Sequence, residues 1–104
     1  MIFPGISGNK YEFEVYPWGT QFNPIGAVYL ISRRVSKPEG GADHYRVYVG
    51  QTDDLSTRFD SHHKEDCFQR ERANCICVHA EPNEQTRLSI ETDLIAYRRP
   101  PCND

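Results

Sequence analysis

A chain of 104 residues, 38% hydrophobic and 26% charged, is long enough for one domain around one modest core and too short for a second. No apolar run approaches the about 18 residues of a membrane span, and the opening MIFPGISGNK lacks the basic start and long apolar segment of a secretory signal. A formal net charge of −3 disfavours bulk, salt-driven adhesion to nucleic acid, yet nine of the twelve basic residues are Arg, whose fork fits a phosphate, so a local basic face is not excluded.

Residues 1–10 carry Pro, Gly, Ser and Asn and read as a loose segment or an edge. In KYEFEVYPWG, Tyr11, Phe13 and Val15 alternate with Glu12 and Glu14, a period of two that predicts a half-exposed strand over 10–16, stopped by Pro17 and Gly19. GAVYLISRR, 26–34, is apolar on both faces at its centre and predicts a strand covered on both sides. SKPEGGADH reads as a long hairpin loop, and YRVYVGQ, 45–51, as the returning strand.

Thr52 is a good N-cap and Asp53 and Asp54 suit the start of a helix, which the sequence predicts over 52–64 with Leu55 and Phe59 inward. On that helix Arg58 and His62 would be four residues apart and share one edge, with the Arg charge keeping the imidazole neutral. EDCFQRERA reads as a short helix or turn, and NCICVHAE, 74–81, as a third sheet strand. Pro82 and Asn83 open a last helix over about 83–98, ended by Pro100 and Pro101. Its apolar stripe is read as Leu88, Leu94 and Ile95, with Glu91 in the middle of the stripe and Asp93 facing away. A carboxylate on such a line is either an ion-pair partner, here of Arg87 four residues earlier, or a functional group, and the spacing leaves both open.

The cysteines at 67, 75, 77 and 102 form no CxxC pair. Cys75, Cys77 and His79 would share one strand face, but at strand rise three such groups spread over about 13 Å and converge poorly on one ion. Buried structural cysteines are the favoured reading over a zinc module, and without a secretion signal reduced thiols in a cytoplasm are the expectation. The element order predicts a small α/β or α+β domain: a three-stranded antiparallel sheet with flanking helices, plus an extra N-terminal strand.

Tyr29 and Tyr48 on paired strands, Arg58 and His62 after them, and Glu91 on the last helix form a set suited to phosphodiester hydrolysis. A carboxylate prefers a hard Mg²⁺-like ion, an Arg can brace a phosphate that gains charge, and a Tyr becomes a base only if a metal or cation lowers its pKa. Here the sequence resembles the GIY-YIG endonuclease family. AVY at 27–29 resembles the first signature and YVG at 48–50 the second; RFDSHH holds Arg58 ten residues after Tyr48, with His62 four further on; LSIETDLI resembles the helix bearing the metal-binding Glu, and PPCN ends in the late Asn103. The match covers 26–104, leaving 1–25 as an N-terminal extension. Ala27 stands where the family usually has Gly, with Gly26 one place earlier, and the segment between the tyrosines is longer than usual.

The resemblance implies a nuclease using one Mg²⁺ or Mn²⁺ held by Glu91. Tyr29 would activate water directly or through a relay, Tyr48 would orient the water or phosphate, and Arg58 would stabilise transition-state charge. His62 would assist as a hydrogen-bond partner or relay, with Asn103 in support and Arg33 or Arg34 standing in for a Lys found in some members. The implied partner is DNA, branched and damaged forms included, with specificity from a homodimer or a protein partner. The rival expectation is a nucleic-acid- or protein-binding module that keeps the fold with little or no turnover.

Overall fold

The computed structural model describes residues 1–103. It is a mixed α+β fold with two antiparallel sheets and two helices. Strands β1 (Ile2–Pro4) and β2 (Lys10–Glu12) form a small ribbon; β3 (Glu14–Pro17), β4 (Ala27–Ser36), β5 (Ala42–Thr52) and β6 (Cys75–Ala80) form the main sheet in the order β3-β6-β4-β5. Helices α1 (Glu65–Arg70) and α2 (Glu84–Tyr97) complete it. Among the described residues no helix is long and apolar enough to cross a membrane.

The main sheet has four strands, not three, because the extra N-terminal strand joins it: β3 pairs along β6 from Glu14↔Val78 to Pro17↔Cys75. The single strand expected over 10–16 is split at Phe13, which is 1% exposed and packs edge-on against Phe3. Phe3 belongs to β1, so the segment expected to be loose or an edge forms a strand of the small ribbon and supplies a core side chain. The hairpin loop is shorter than expected, residues 37–41. Gly40 and Gly41 take positive φ there, which lets β4 and β5 pair out to Ser36↔Ala42.

The main sheet buries both faces. On one, Val28, Leu30, Val49 and Cys77 pack with Ile90 and Leu94 of α2 and with Phe3 and Phe13. On the other, Ala27, Tyr29, Ile31, Ile76 and Val78 pack with Val47, Tyr48, Leu55, Phe68 and Cys102. Adjacent Val47 and Tyr48 lie on the same face because the register of β4 and β5 shifts between Ile31 and Ser32, leaving Val47 as an extra residue on β5. Such a bulge re-aims a side chain, here Tyr48 towards Tyr29.

Two expectations are corrected. Thr52 ends β5, and residues 53–64 are turns, bends and irregular backbone rather than a helix. The Thr52 Oγ1 accepts from the Asp54 amide and donates to its carbonyl, and Asp54 Oδ1 accepts from the Ser56 amide and hydroxyl. Side chains of the type that cap helices here hold the backbone in local turns, and the helix forms only at Glu65. The stripe of α2 is Arg87, Ile90 and Leu94, with Glu91 at its margin, whereas Leu88 is 38% exposed. Asn83 caps this helix through Oδ1 to the Thr86 amide at 2.9 Å.

The thiol expectation is half corrected. Cys67 and Cys102 are bridged, tying α1 to the C-terminal tail. They are 35 positions apart, and only the folding of that tail along β5 brings them together. Cys75 and Cys77 are free and buried, and burial raises both thiols, Cys77 to about 11, as inert structural cysteines require. His79 Nδ1 lies 2.7 Å from the Glu12 carbonyl. Among the described residues no group of three His, Cys, Asp or Glu side chains is placed to hold an ion.

Candidate active site

Tyr29 is the hub. It is the third residue of β4, opposite Gly50 of β5, and is 0% exposed. A side chain on Gly50 would place its Cβ 2.5 Å from the Tyr29 hydroxyl and 2.8 Å from the Tyr48 ring. The glycine of YVG is therefore the space through which the phenol reaches its partners.

Two donors meet on the Tyr29 oxygen. Arg58 Nε donates to it at 2.9 Å, and His62 Nε2 lies 2.8 Å away. The His62 Nδ1 accepts from the Lys64 backbone N–H at 3.1 Å, which assigns the ring proton to Nε2 and makes His62 a donor to Tyr29 in the neutral ring. His62 is held neutral by burial first, and then by the charge of Arg58; its pKa falls to about 4. Burial pushes the Tyr29 phenol well above its ordinary value, while the Arg58 hydrogen bond and charge pull the other way. An oxygen receiving two hydrogen bonds has little acceptor capacity left, so its own proton points out of this pair.

The expected adjacency of Arg58 and His62 holds, for a different reason than helical spacing. Both are brought to Tyr29 by the turns of 53–64, and Phe59 between them packs edge-on to the Tyr29 ring with centroids 5.0 Å apart. Tyr48 lies parallel to Tyr29 at 6.1 Å and meets His62 edge-on at 5.2 Å. The two histidines differ: His62 is 6% exposed inside this cluster, and His63 is exposed and stacked on it at 4.7 Å.

Glu91, on α2, is near enough for its charge to act on Arg58 and both tyrosines. It is half-buried, burial raises its pKa, and the charge of Arg58 lowers it. Its own charge raises both Tyr29 and Tyr48. The ion pair with Arg87 does not form: the Arg87 Nε donates to Gln51 Oε1 at 2.9 Å, and its Nη1 to the carbonyls of Glu81 and Pro82, each at 3.0 Å. Among the described residues no hydrogen bond or ion pair engages the Glu91 carboxylate, which leaves it available as a ligand. One half-buried, unpaired carboxylate suits Mg²⁺, which keeps several waters and takes few protein oxygens.

Asn103 is placed as a brace. Its Oδ1 accepts from the Val49 amide at 2.8 Å and its Nδ2 donates to the Val49 carbonyl at 2.9 Å, while the Cys102 amide donates to Val47. The tail thereby pairs with β5 on either side of Tyr48. Arg33 and Arg34 are not brought to this cluster. The Arg33 guanidinium lies 4.7 Å over the Tyr45 ring, and Arg34 bonds Ser36 and Asn74, all towards the hairpin end of β4.

Arg87 was not among the residues singled out for chemistry. It is 4% exposed, and its Nη1 would lie 2.5 Å from a Cβ on Gly26, so that glycine is the slot its guanidinium fills. The available signal was a charged residue on the Arg87, Ile90, Leu94 line of α2. Compared with protein-family models, curated proteins and solved structures, the chain matches none.

Proposed function

We propose that this chain is a divalent-metal-dependent endonuclease hydrolysing DNA phosphodiester bonds in the manner of the GIY-YIG enzymes. The observation that carries the reading is the Tyr29 oxygen held by Arg58 and His62, with the unpaired Glu91 carboxylate close enough to act electrostatically on both tyrosines. Packing alone asks for none of these four polar groups at one spot.

In this reading Arg58 spends Nε on Tyr29 and keeps its terminal nitrogens free for phosphate, including the oxygens that gain charge during displacement. Water forms the new P–O bond and gives up a proton to solvent, the bond to the leaving oxygen breaks, and that oxygen takes a proton from solvent. Tyr29, closed to solvent, acts by fixing Arg58 and His62, not by touching the water. Tyr48 orients the reacting groups, and Asn103 steadies the strand that bears it. A Mg²⁺ or Mn²⁺ ion on Glu91 would supply Lewis acidity at the phosphate. DNA, branched or damaged duplex included, is the proposed substrate, and a second copy or another protein the proposed source of specificity. The cytoplasmic setting expected from the sequence has the Cys67–Cys102 bridge against it, since such bonds persist in oxidising compartments.

One observation favours a second reading, a binding module with little turnover: Tyr29 is 0% exposed and its oxygen already receives two donors. The experiment that separates the two is cleavage of plasmid, branched and single-stranded DNA with Mg²⁺ or Mn²⁺, by the unaltered chain and by Glu91→Ala. The nuclease reading expects metal-dependent nicking that Glu91→Ala abolishes. DNA binding without cleavage of any substrate would establish the binding module, and cleavage that survives Glu91→Ala would move the chemistry elsewhere.

A further inference from the structure

Beside the Tyr29 cluster lies a cavity of roughly 400 Å³ lined by Gln51, Thr52, Asp53, Arg58, Glu84 and Arg87. Its size is that of a small-molecule site, but every lining side chain is polar or charged. Two of them are guanidinium groups, and they differ in origin. Arg58 comes from the loop after β5 and is shared with the Tyr29 cluster. Arg87 comes from α2 and is almost wholly buried.

A buried guanidinium normally pairs with a carboxylate. Arg87 has none: its three hydrogen bonds go to one side-chain amide and two backbone carbonyls, all neutral. Those bonds use Nε and Nη1. No described residue accepts from Nη2, and no buried side-chain nitrogen or oxygen among the described residues lacks a partner, so Nη2 keeps some solvent access on a residue that lines the cavity. Arg58 is placed similarly, with Nε on Tyr29 and its terminal nitrogens uncommitted. The carboxylates of Asp53 and Glu84 also line the cavity. Both residues are exposed, and neither forms an ion pair with either Arg, so their charge is the more strongly screened by water.

We propose that Arg87 and Arg58 together form a second anion subsite that takes a phosphate of the nucleic-acid strand next to the one being cleaved. Arg87 is its fixed wall: the bonds to Gln51, Glu81 and Pro82, and the slot at Gly26, hold the guanidinium before any ligand arrives, so little side-chain freedom is lost on binding. Arg58 is shared, touching the reacting phosphate on one side and its neighbour on the other. Asp53 and Glu84 at the rim repel anions that approach without that geometry. The assignment rests on the nuclease reading for the identity of the strand, but the anion site itself can be tested without turnover.

The test is a titration of the metal-free protein with pyrophosphate, followed through the Nε–Hε NMR resonances of its arginines, with exposed Arg99 as the reference. The expected result is saturable shifts at both Arg87 and Arg58, absent at Arg99, weakening as salt is added. Glu84→Gln, at an exposed position, should tighten pyrophosphate by about twofold to fivefold, as removal of one screened repulsion implies. Saturation at Arg58 with Arg87 unmoved would reduce Arg87 to a structural tie. Linear, Arg99-like shifts at both would remove the subsite, as would a Glu84→Gln protein that binds no tighter. Failure of the nuclease reading looks different: pyrophosphate binds as described, yet no DNA is cleaved.

Discussion

The two faces of the main sheet are built from the same strands and do different work. Towards α2, Val28, Leu30, Val49, Ile90 and Leu94 form an aliphatic layer closed by Phe3 and Phe13. Towards the 53–64 loop, Tyr29 and Tyr48 meet Phe59, His62 and Phe68, and a buried hydroxyl, a buried imidazole and a guanidinium are threaded among the rings. Strand alternation alone separates Tyr29 from Val28 and Leu30. The lesson is that one strand can carry an aliphatic layer on one side and a polar, aromatic cluster on the other, even though α2 on the aliphatic side also bears Arg87 and Glu91. The β5 bulge and Gly50 are the two adjustments that bring Tyr48 and the Tyr29 hydroxyl together on the aromatic side.

The contrast predicts that the two faces fail differently. Leu94→Ala, in the aliphatic layer at 0% exposure, should cost about 2–5 kcal/mol in denaturant unfolding, with cleavage per folded molecule unchanged. A loss of cleavage out of proportion to unfolding would mean the faces are not separable. Opening the Cys67–Cys102 bridge by a Cys67→Ser, Cys102→Ser pair should cost about 2–4 kcal/mol, and should also loosen the tail that braces Val49 next to Tyr48.

His62 carries the pH signature of the aromatic face. Its folded pKa of about 4 lies below the ordinary 6.5, so the unfolded chain binds the proton more readily. Its contribution to stability is therefore complete above about pH 6.5, declines as pH falls from there, and is gone below about 4. The full effect is at most about 3 kcal/mol, less what solvent screening removes. Urea midpoints of the unaltered chain and His62→Gln, compared between pH 7 and pH 4, measure it; parallel curves would contradict a buried neutral imidazole. Smaller again is the expected loss of DNA affinity in Arg58→Ala, about 1 kcal/mol, against a fall in turnover of about 100-fold. Equal losses in both would make Arg58 a plain phosphate contact.

How much of this was legible in the sequence follows from which forces are local. β4, β6 and α2 are written in dense apolar runs and in the Asn83 cap, and they form close to where those signals place them. The segment after Thr52 misleads because Thr52, Asp54 and Ser56 can cap a helix or hold a turn with the same atoms, and only the demand that Arg58 and His62 reach Tyr29 decides between them. Arg58, His62 and Tyr29 are identifiable as a set even though the helix expected to hold Arg58 and His62 is absent. The cysteine bridge has no spacing signature, and Arg87 hides as an ordinary helix arginine until Gly26 is seen to make room for it. Arg33 and Arg34 show the opposite error: near Tyr29 in sequence, they are carried along the strand to Tyr45 and Ser36.

The most direct test of the central claim is Tyr29→Phe, which removes one oxygen from the hub and leaves the ring. The prediction is a fall in metal-dependent cleavage of about 100-fold, with a modest stability loss of about 1–3 kcal/mol from the donors of Arg58 and His62 left without their acceptor. Cleavage at the unaltered rate by a folded Tyr29→Phe protein would contradict the claim that this hydroxyl organises the site.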